Sequence, residues 1–231
     1  PKFGLIYQPV KDKVALFANY LNGFSNPAPS LNAATNVYTY WKPEQANQLE
    51  GGVKLDLLDN RISSTISYYM IKVKDKVRDM GDGTAAQDGT QESKGFEIDI
   101  IANPVNGLNI VAGYGYNDNS FTLDTKANQG KRAPWTPKNV ANGWISYRIM
   151  KGAAKGLGAG AGFNYAGQVY FDVDEKFSVP AYTVFNGTVF FDQAKYRISV
   201  KVNNLAGTEY WNFYGQPQKP REILGSISYK F

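Results

Sequence analysis

Cysteine and histidine are both absent from the 231 residues. Their absence removes thiolate and imidazole metal sites and every nucleophile–histidine catalytic arrangement. With no thiols to pair, the redox compartment stays open. Long hydrophobic runs are missing too: no stretch approaches the ~18 apolar residues of a membrane helix. A spanning sheet survives that test, because a membrane-spanning strand carries its apolar signal in every second residue. No secretory leader precedes the first strand-like pattern at Pro1, so a leader is expected either to have been removed or to lie with other segments upstream.

What the chain has in quantity is aromatic: 4 Trp, 16 Tyr and 13 Phe. Tyrosine, the commonest of the three, joins an apolar ring to a polar tip, which suits a lipid–water boundary. Period-two alternation runs through the whole chain and helical periodicity is hard to find. Eleven strand-like segments are predicted: Lys2–Gln8, Lys13–Tyr20, Gln48–Leu57, Arg61–Val73, Lys94–Ala102, Leu108–Asn117, Val140–Met150, Leu157–Phe171, Tyr182–Phe191, Tyr196–Val202 and Glu222–Phe231. In the third, Leu49, Gly51, Val53, Leu55 and Leu57 share one face and Glu50, Lys54 and Asp56 the other. In the tenth, Tyr196, Ile198, Val200 and Val202 oppose Arg197, Ser199 and Lys201.

Short connections of about 3–6 residues alternate strictly with long ones at Leu21–Asn47, Lys74–Ser93, Asp118–Asn139, Asp172–Ala181 and Asn203–Arg221. A meander with tight turns at one end and long loops at the other is the plan of an outer-membrane barrel, with turns periplasmic and loops outside. The expected fold class is therefore all-β, an antiparallel transmembrane β-barrel meander. Aromatics gather near strand ends. Tyr7, Tyr147, Phe191, Tyr196, Tyr229 and Phe231 lie toward the tight turns, and Tyr20, Tyr68, Tyr116, Tyr165 and Tyr182 toward the long loops. On this topology the last strand descends to a periplasmic terminus and the first starts outside the cell. Single-chain bacterial barrels have even strand counts, so further strands are expected before Pro1.

Several motifs follow one another in a family's order. Pro43-Glu44-Gln45-Ala46-Asn47-Gln48-Leu49-Glu50-Gly51-Gly52-Val53-Lys54 resembles the strand entry of TonB-dependent receptors, siderophore receptors above all. Leu58-Asp59-Asn60-Arg61 is similar to the tight turn after it, and Lys131-Arg132-Ala133-Pro134-Trp135-Thr136-Pro137-Lys138 to a loop exit, with Asn139 where the family often has His. Val202-Asn203-Asn204-Leu205-Ala206-Gly207-Thr208-Glu209-Tyr210 resembles the motif near the last strand, with Ala-Gly in place of Phe-Asp. Tyr214-Gly215-Gln216-Pro217 and Tyr229-Lys230-Phe231 complete the series. The resemblance covers Lys2 to Phe231. It implies about eleven strands of a 22-strand barrel, residues 1–231 being its C-terminal part, with a plug domain and the first strands upstream. It also implies uptake of a ferric siderophore driven by the TonB–ExbB–ExbD complex acting through that plug. The stripe Ile227, Tyr229 and Phe231 is implied to be the signal read by the barrel-assembly machinery.

Such a protein breaks no bond, so no catalytic residue, resident cofactor or metal is expected, and the chelate is cargo. Tyr38, Tyr40, Trp41, Trp135, Tyr170, Trp211, Phe213 and Tyr214 are the loop aromatics that a bulky chelate would meet. Arg132, or Lys131 beside it, would attract an anionic one. Packing of loop against loop is the plainer role for any single ring among them. The net charge of +5 suits anionic ligands or lipopolysaccharide phosphates, or is simply a solvated face; outer-membrane lipid is an expected partner and nucleic acid is not. Rival readings are a passive porin, an enzyme, or TonB-dependent uptake of cobalamin, haem, a metal complex or a glycan. The acidic run Asp172, Asp174 and Glu175 has oxygens for Ca²⁺, although a solvated acidic loop is the simpler account.

Overall fold

Branched and aromatic residues at alternate positions favour the extended, half-covered backbone of a pleated sheet, and that is what forms. The computed structural model describes every residue except 33, 34 and 81. Its strands are β1 (Lys2–Val10), β2 (Val14–Ser25), β3 (Ser30–Asn32), β4 (Val37–Thr39), β5 (Glu44–Leu57), β6 (Ile62–Asp79), β7 (Ala85–Ala102), β8 (Leu108–Leu123), β9 (Asn139–Arg148), β10 (Leu157–Ala166), β11 (Val169–Tyr170), β12 (Ser178–Val179), β13 (Tyr182–Asp192), β14 (Tyr196–Asn203) and β15 (Glu222–Tyr229). Eleven of them form one antiparallel sheet in the order β1-β2-β5-β6-β7-β8-β9-β10-β13-β14-β15, an uninterrupted meander with β1 and β15 at its edges. The two small hairpins, β3–β4 and β11–β12, sit in the loops.

The tight-turn end is tied together from turn to turn. Asp56 N–H donates to the Lys13 carbonyl, Arg148 N–H to Gly107, Asp192 N–H to Gly156 and Lys230 N–H to Lys195, all at 2.8–2.9 Å. Leu58, Asp59 and Asn60 take positive φ of 52°, 54° and 63° to reverse the chain in the expected place. Gly107 (φ 89°) has a further constraint, since a Cβ there would collide with the Arg148 carbonyl.

Register decides which residues share a face, because directly paired residues point the same way. Val53 pairs with Leu16 and Ile66; Ile98 with Ile66 and Tyr114; Ile145 with Ile110 and Ala161; Val189 with Ala159 and Val200; Ile198 with Ile227. The apolar face is thus continuous across all eleven main strands. It has no internal cover. Among the described residues the buried hydrophobics are only Ala102, Ala133, Val169, Val179 and Val184, while Ile145 on β9 is 50 % and Val189 on β13 54 % exposed although each strand is paired on both sides. A single-layer sheet with so much bare apolar area is unstable in water, so lipid must cover this face.

The aromatic belts bear out that placement. Tyr20 O–H donates to Asn47 Oδ1 at 2.8 Å and Tyr114 O–H to Asn139 Oδ1 at 2.7 Å, both toward the loops. Each ring stays in the apolar band and its tip reaches the polar edge. Phe96 stacks on Tyr116 at 5.7 Å in the upper belt, and Phe191 meets Tyr196 at 6.0 Å in the lower. Tyr182 departs from the expectation. It pairs with Ala166 and alternates with Val184 and Asn186 on the inner face, where its ring lies 4.7 Å from that of Tyr210.

Two further differences concern length. Lys74–Ser93, expected as a loop, is mostly a hairpin: β6 and β7 each run for 18 residues and close through Met80 N–H donating to Thr84. The segment expected as Leu157–Phe171 leaves the main sheet after Ala166, where Gly167 N–H donates to the Asn139 carbonyl, and turns into β11.

Candidate ligand-binding face

The inner face is polar and carries charges of both signs: Glu50, Lys54 and Asp56 on β5, Glu97 and Asp99 on β7, Asp192 on β13, Arg197 and Lys201 on β14 and Glu222 on β15. Glycines keep the wall thin between them. A Cβ on Gly160 would stand 2.7 Å from the Trp144 ring and 2.9 Å from Ser146, so the indole lies flat over β10. Against this wall opens a cavity of about 880 Å³ lined by Trp144, Asn164, Asn186, Arg197, Lys201 and Tyr182, among others. Arg197 stacks on Phe190 at 4.6 Å, which holds its guanidinium against the wall. The roof of this cavity is the β14–β15 loop, pinned by Asn204. That side chain is 2 % exposed; it receives the Thr208 N–H at 2.8 Å and donates to the Thr208 carbonyl at 2.8 Å.

At the loop end, the structure draws five of the nine sequence-predicted ligand residues together. Trp135 (φ 67°) donates its N–H to the Tyr170 carbonyl at 2.9 Å. Its ring lies 4.9 Å from Phe171 and 6.1 Å from Tyr214, which in turn packs on Phe213 at 4.1 Å. Arg132 faces the Tyr170 ring at 5.8 Å and is fixed by donation to the Thr136 carbonyl. Three loops, β8–β9, β10–β13 and β14–β15, therefore meet in one aromatic cluster. Lys131 adds an ion pair to Asp174 across two of them, and this bond holds the Asp174 carboxyl below the usual carboxylate range, with Lys176 contributing.

The other four predicted residues stand apart from the cluster. Trp211 forms an isolated bridge with Pro217. Tyr38 and Tyr40 are strongly exposed on and beside the β3–β4 hairpin. Trp41 donates its indole N–H to Ser30 Oγ at 3.0 Å and lines a separate cavity of about 400 Å³ under the tip of the β6–β7 hairpin. Phe171, which sequence reasoning left out, is central to the cluster; the only hint of it was its place next to Tyr170. The inner-wall residues Trp144, Arg197 and Lys201 were visible as the polar phase of alternating strands but were not singled out. Asp172 accepts the Phe177 and Lys176 backbone N–H groups, which lower its proton affinity. With Asp174 engaged by lysines, the acidic run is a loop staple, and no metal-binding group of three carboxylates forms among the described residues.

A lipid-faced antiparallel meander with a polar inner wall and aromatic loops at one end defines the wall of an outer-membrane-type β-barrel. Residues 1–205 match the family model described as "TonB dependent receptor-like, beta-barrel". The chain belongs to that family. It is 29 % identical over its whole length to the metal-pseudopaline receptor CntO of Pseudomonas aeruginosa, of which it covers 33 %. It is 27 % identical over 94 % of its length to the ferrioxamine B receptor of Salmonella typhimurium, covering 32 % of that protein. The crystal structure of the siderophore receptor PiuA from Acinetobacter baumannii superposes with a TM-score of 0.84 at 21 % identity, over all of this chain and 35 % of that one. The chain thus spans about a third of the length of the curated relatives it matches.

Proposed function

We propose that this chain is the C-terminal wall of an outer-membrane receptor that captures a ferric siderophore outside the cell and imports it with TonB-derived energy. The observation that carries this reading is the gathering of Trp135, Phe171, Tyr214 and Phe213 with Arg132 and Lys131 at the loop end of a barrel wall of this family. Flat rings with nearby cations suit a bulky, anionic chelate: the rings offer apolar and stacking surface and the cations offset its charge. The proposal includes a plug domain and TonB contact in another region of the full-length protein. It also assigns Ile227, Tyr229 and Phe231, outward on and just beyond the edge strand β15, to recognition by the barrel-assembly machinery. The chain has no catalytic part in this.

The test is growth and radiolabelled-iron uptake by a strain lacking the full-length gene, supplied with one ferric siderophore at a time. Loss of uptake for one chelate, restored by the gene, is the expected result. Normal uptake of every siderophore, with loss of cobalamin, haem or sugar uptake, would overturn it. The likeness to a metal-pseudopaline receptor favours a second cargo reading, a metal chelate that is not confined to iron, and the same strain supplied with chelates of other divalent transition metals addresses it. A porin reading predicts steady conductance of the intact protein in planar bilayers, where a plugged receptor stays closed.

A further inference from the structure

We infer that the tight-turn end of the sheet holds an oxyanion site, built by Arg148, Lys155 and Lys230, that takes the carboxylates of a peptidoglycan stem peptide. The inference rests on the outer-membrane orientation proposed above, which turns this end to the periplasm. The site is a cavity of about 350 Å³ between the β9–β10 and β13–β14 turns, lined by Arg148, Met150, Lys155, Asp192, Gln193 and Lys230, among others. Its frame is rigid because the turns are bonded to each other. Asp192 N–H donates to the Gly156 carbonyl, Gly156 N–H to the Ile149 carbonyl, and the Gln193 side-chain amide to the Lys155 carbonyl at 2.8 Å. Gly156 (φ 95°) leaves no room for a side chain, since a Cβ there would run into the Asp192 carbonyl. Met150 lies beside Gly107 of the β7–β8 turn and closes the back. Lys230 N–H donates to the Lys195 carbonyl, which brings the segment after β15 to the rim.

The cavity carries more positive charge than its own carboxylate balances. Asp192 engages Arg148 at 2.9 Å through Nη1, which orients the planar guanidinium and leaves its remaining N–H groups open. Lys155 and Lys230 are exposed. Among the described residues neither ammonium lies within ion-pair distance of a carboxylate. A positioned guanidinium flanked by two flexible ammonium groups suits an oxyanion, which it would hold by charge-assisted hydrogen bonds. Ile149, Met150 and Ala194 give the same cavity an apolar side, with room for a methyl group next to the anion.

Register chooses among the anions of the periplasm. Arg148 pairs with Gly158 and Asp192 with Arg197, both in the inner phase, and Lys230 follows outward Tyr229. Arg148 and Lys230 therefore face the mouth of the lumen, on the side of the wall away from the acyl chains. A phospholipid phosphate held in the leaflet is on the wrong side of the sheet. A flexible peptide rising from the cell wall can enter from below. Stem peptides carry free carboxylates with alanine methyl groups close by, which matches both the cationic and the apolar side of the cavity.

The test uses the full-length receptor in neutral detergent, titrated at physiological ionic strength with a soluble stem tetrapeptide and co-sedimented with purified sacculi. The double variant Lys155→Gln, Lys230→Gln should bind the tetrapeptide at least about tenfold more weakly, and the double Lys→Arg variant should bind as wild type. A tetrapeptide with amidated carboxylates should bind wild type no better than the Gln variant binds the free acid. Lys151→Gln, Lys195→Gln changes the same two turns outside the cavity and should leave binding as in wild type. Equal loss in both Gln variants would point to a diffuse basic surface and overturn the inference. Undiminished binding by the first variant would overturn it too, as would binding of short-chain phosphatidylglycerol in place of the tetrapeptide. Heat-modifiable gel mobility establishes that the variants are folded. Chelate uptake, measured in the same strains, should be unchanged by Lys155→Gln, Lys230→Gln; its absence from wild type would count against the transport reading alone.

Discussion

Lys131, in the loop after β8, reaches across to Asp174, in the loop after β10, and its ammonium group lies against that carboxylate. The same two loops are joined again by Trp135 N–H donating to Tyr170. Asp174 has its proton affinity lowered chiefly by the hydrogen bond from Lys131. A carboxyl so depressed in the folded state stabilises the contact above its unfolded value, about 4, and loses that contribution as pH falls through the lower folded value. The bridge is therefore intact at neutral pH and lost in acid, below about pH 4. Amide exchange at Trp135, corrected for its intrinsic pH dependence, should accelerate there, and Asp174→Asn should give the fast rate at neutral pH. A rate unaffected by Asp174→Asn would show that the ion pair does not hold the loops.

Trp135→Ala should release three loops at once, because its ring touches Phe171 and Tyr214. Each such aromatic contact contributes about 0.5–1.5 kcal/mol, so chelate affinity measured by titration should fall about tenfold, with Trp135→Phe recovering most of it. Full affinity in the Ala variant would remove the cluster from the ligand site.

Asn204 combines a positive φ of 51° with hydrogen bonds to both the N–H and the carbonyl of Thr208. Asn204→Gly keeps the backbone geometry and loses the bonds; Asn204→Ala loses both. Chemical unfolding of the full-length protein should rank them Asn, Gly, Ala, with the Ala variant lower by about 2–4 kcal/mol. Equal Gly and Ala values would show that φ is not a constraint there.

Gly160 and Gly51 make a controlled pair, each on a strand paired on both sides. A Cβ on Gly160 meets Trp144 and Ser146, whereas one on Gly51 meets only the Phe17 carbonyl at 3.6 Å, an ordinary contact. Gly160→Ala should cost about 1–3 kcal/mol and Gly51→Ala should be neutral or slightly stabilising, read from the same unfolding curves.

Strand order, turn positions and the apolar face were legible because each rests on local chemistry: period-two alternation and turn sequences such as Leu58-Asp59-Asn60. The β6–β7 extension was not. Beyond Lys74 both faces meet water, so alternation stops while backbone pairing continues, helped by the Arg78–Asp88 ion pair and by Glu44, which accepts the Val77 N–H. Tyr182 was misplaced for a different reason: its position near a strand end was right, but its phase is set by pairing with Ala166, a long-range fact. The site was half legible. Loop aromatics announced themselves by composition, yet which of them converge depends on β11 turning Phe171 toward Trp135, and nothing local specifies that.

This sheet turns its apolar face to lipid and its polar face inward, and Val200 and Ser199 test that side by side. Val200 pairs with Val189 and Gly225 on the outward face, near mid-height, and Ser199 with Phe190 and Ser226 on the inner one. The measurement is equilibrium unfolding of the full-length protein in lipid vesicles. Val200→Arg should destabilise it by about 2–4 kcal/mol, and Ser199→Arg should cost much less. Equal costs, or the larger cost at Ser199, would show that lipid does not cover the Val200 face.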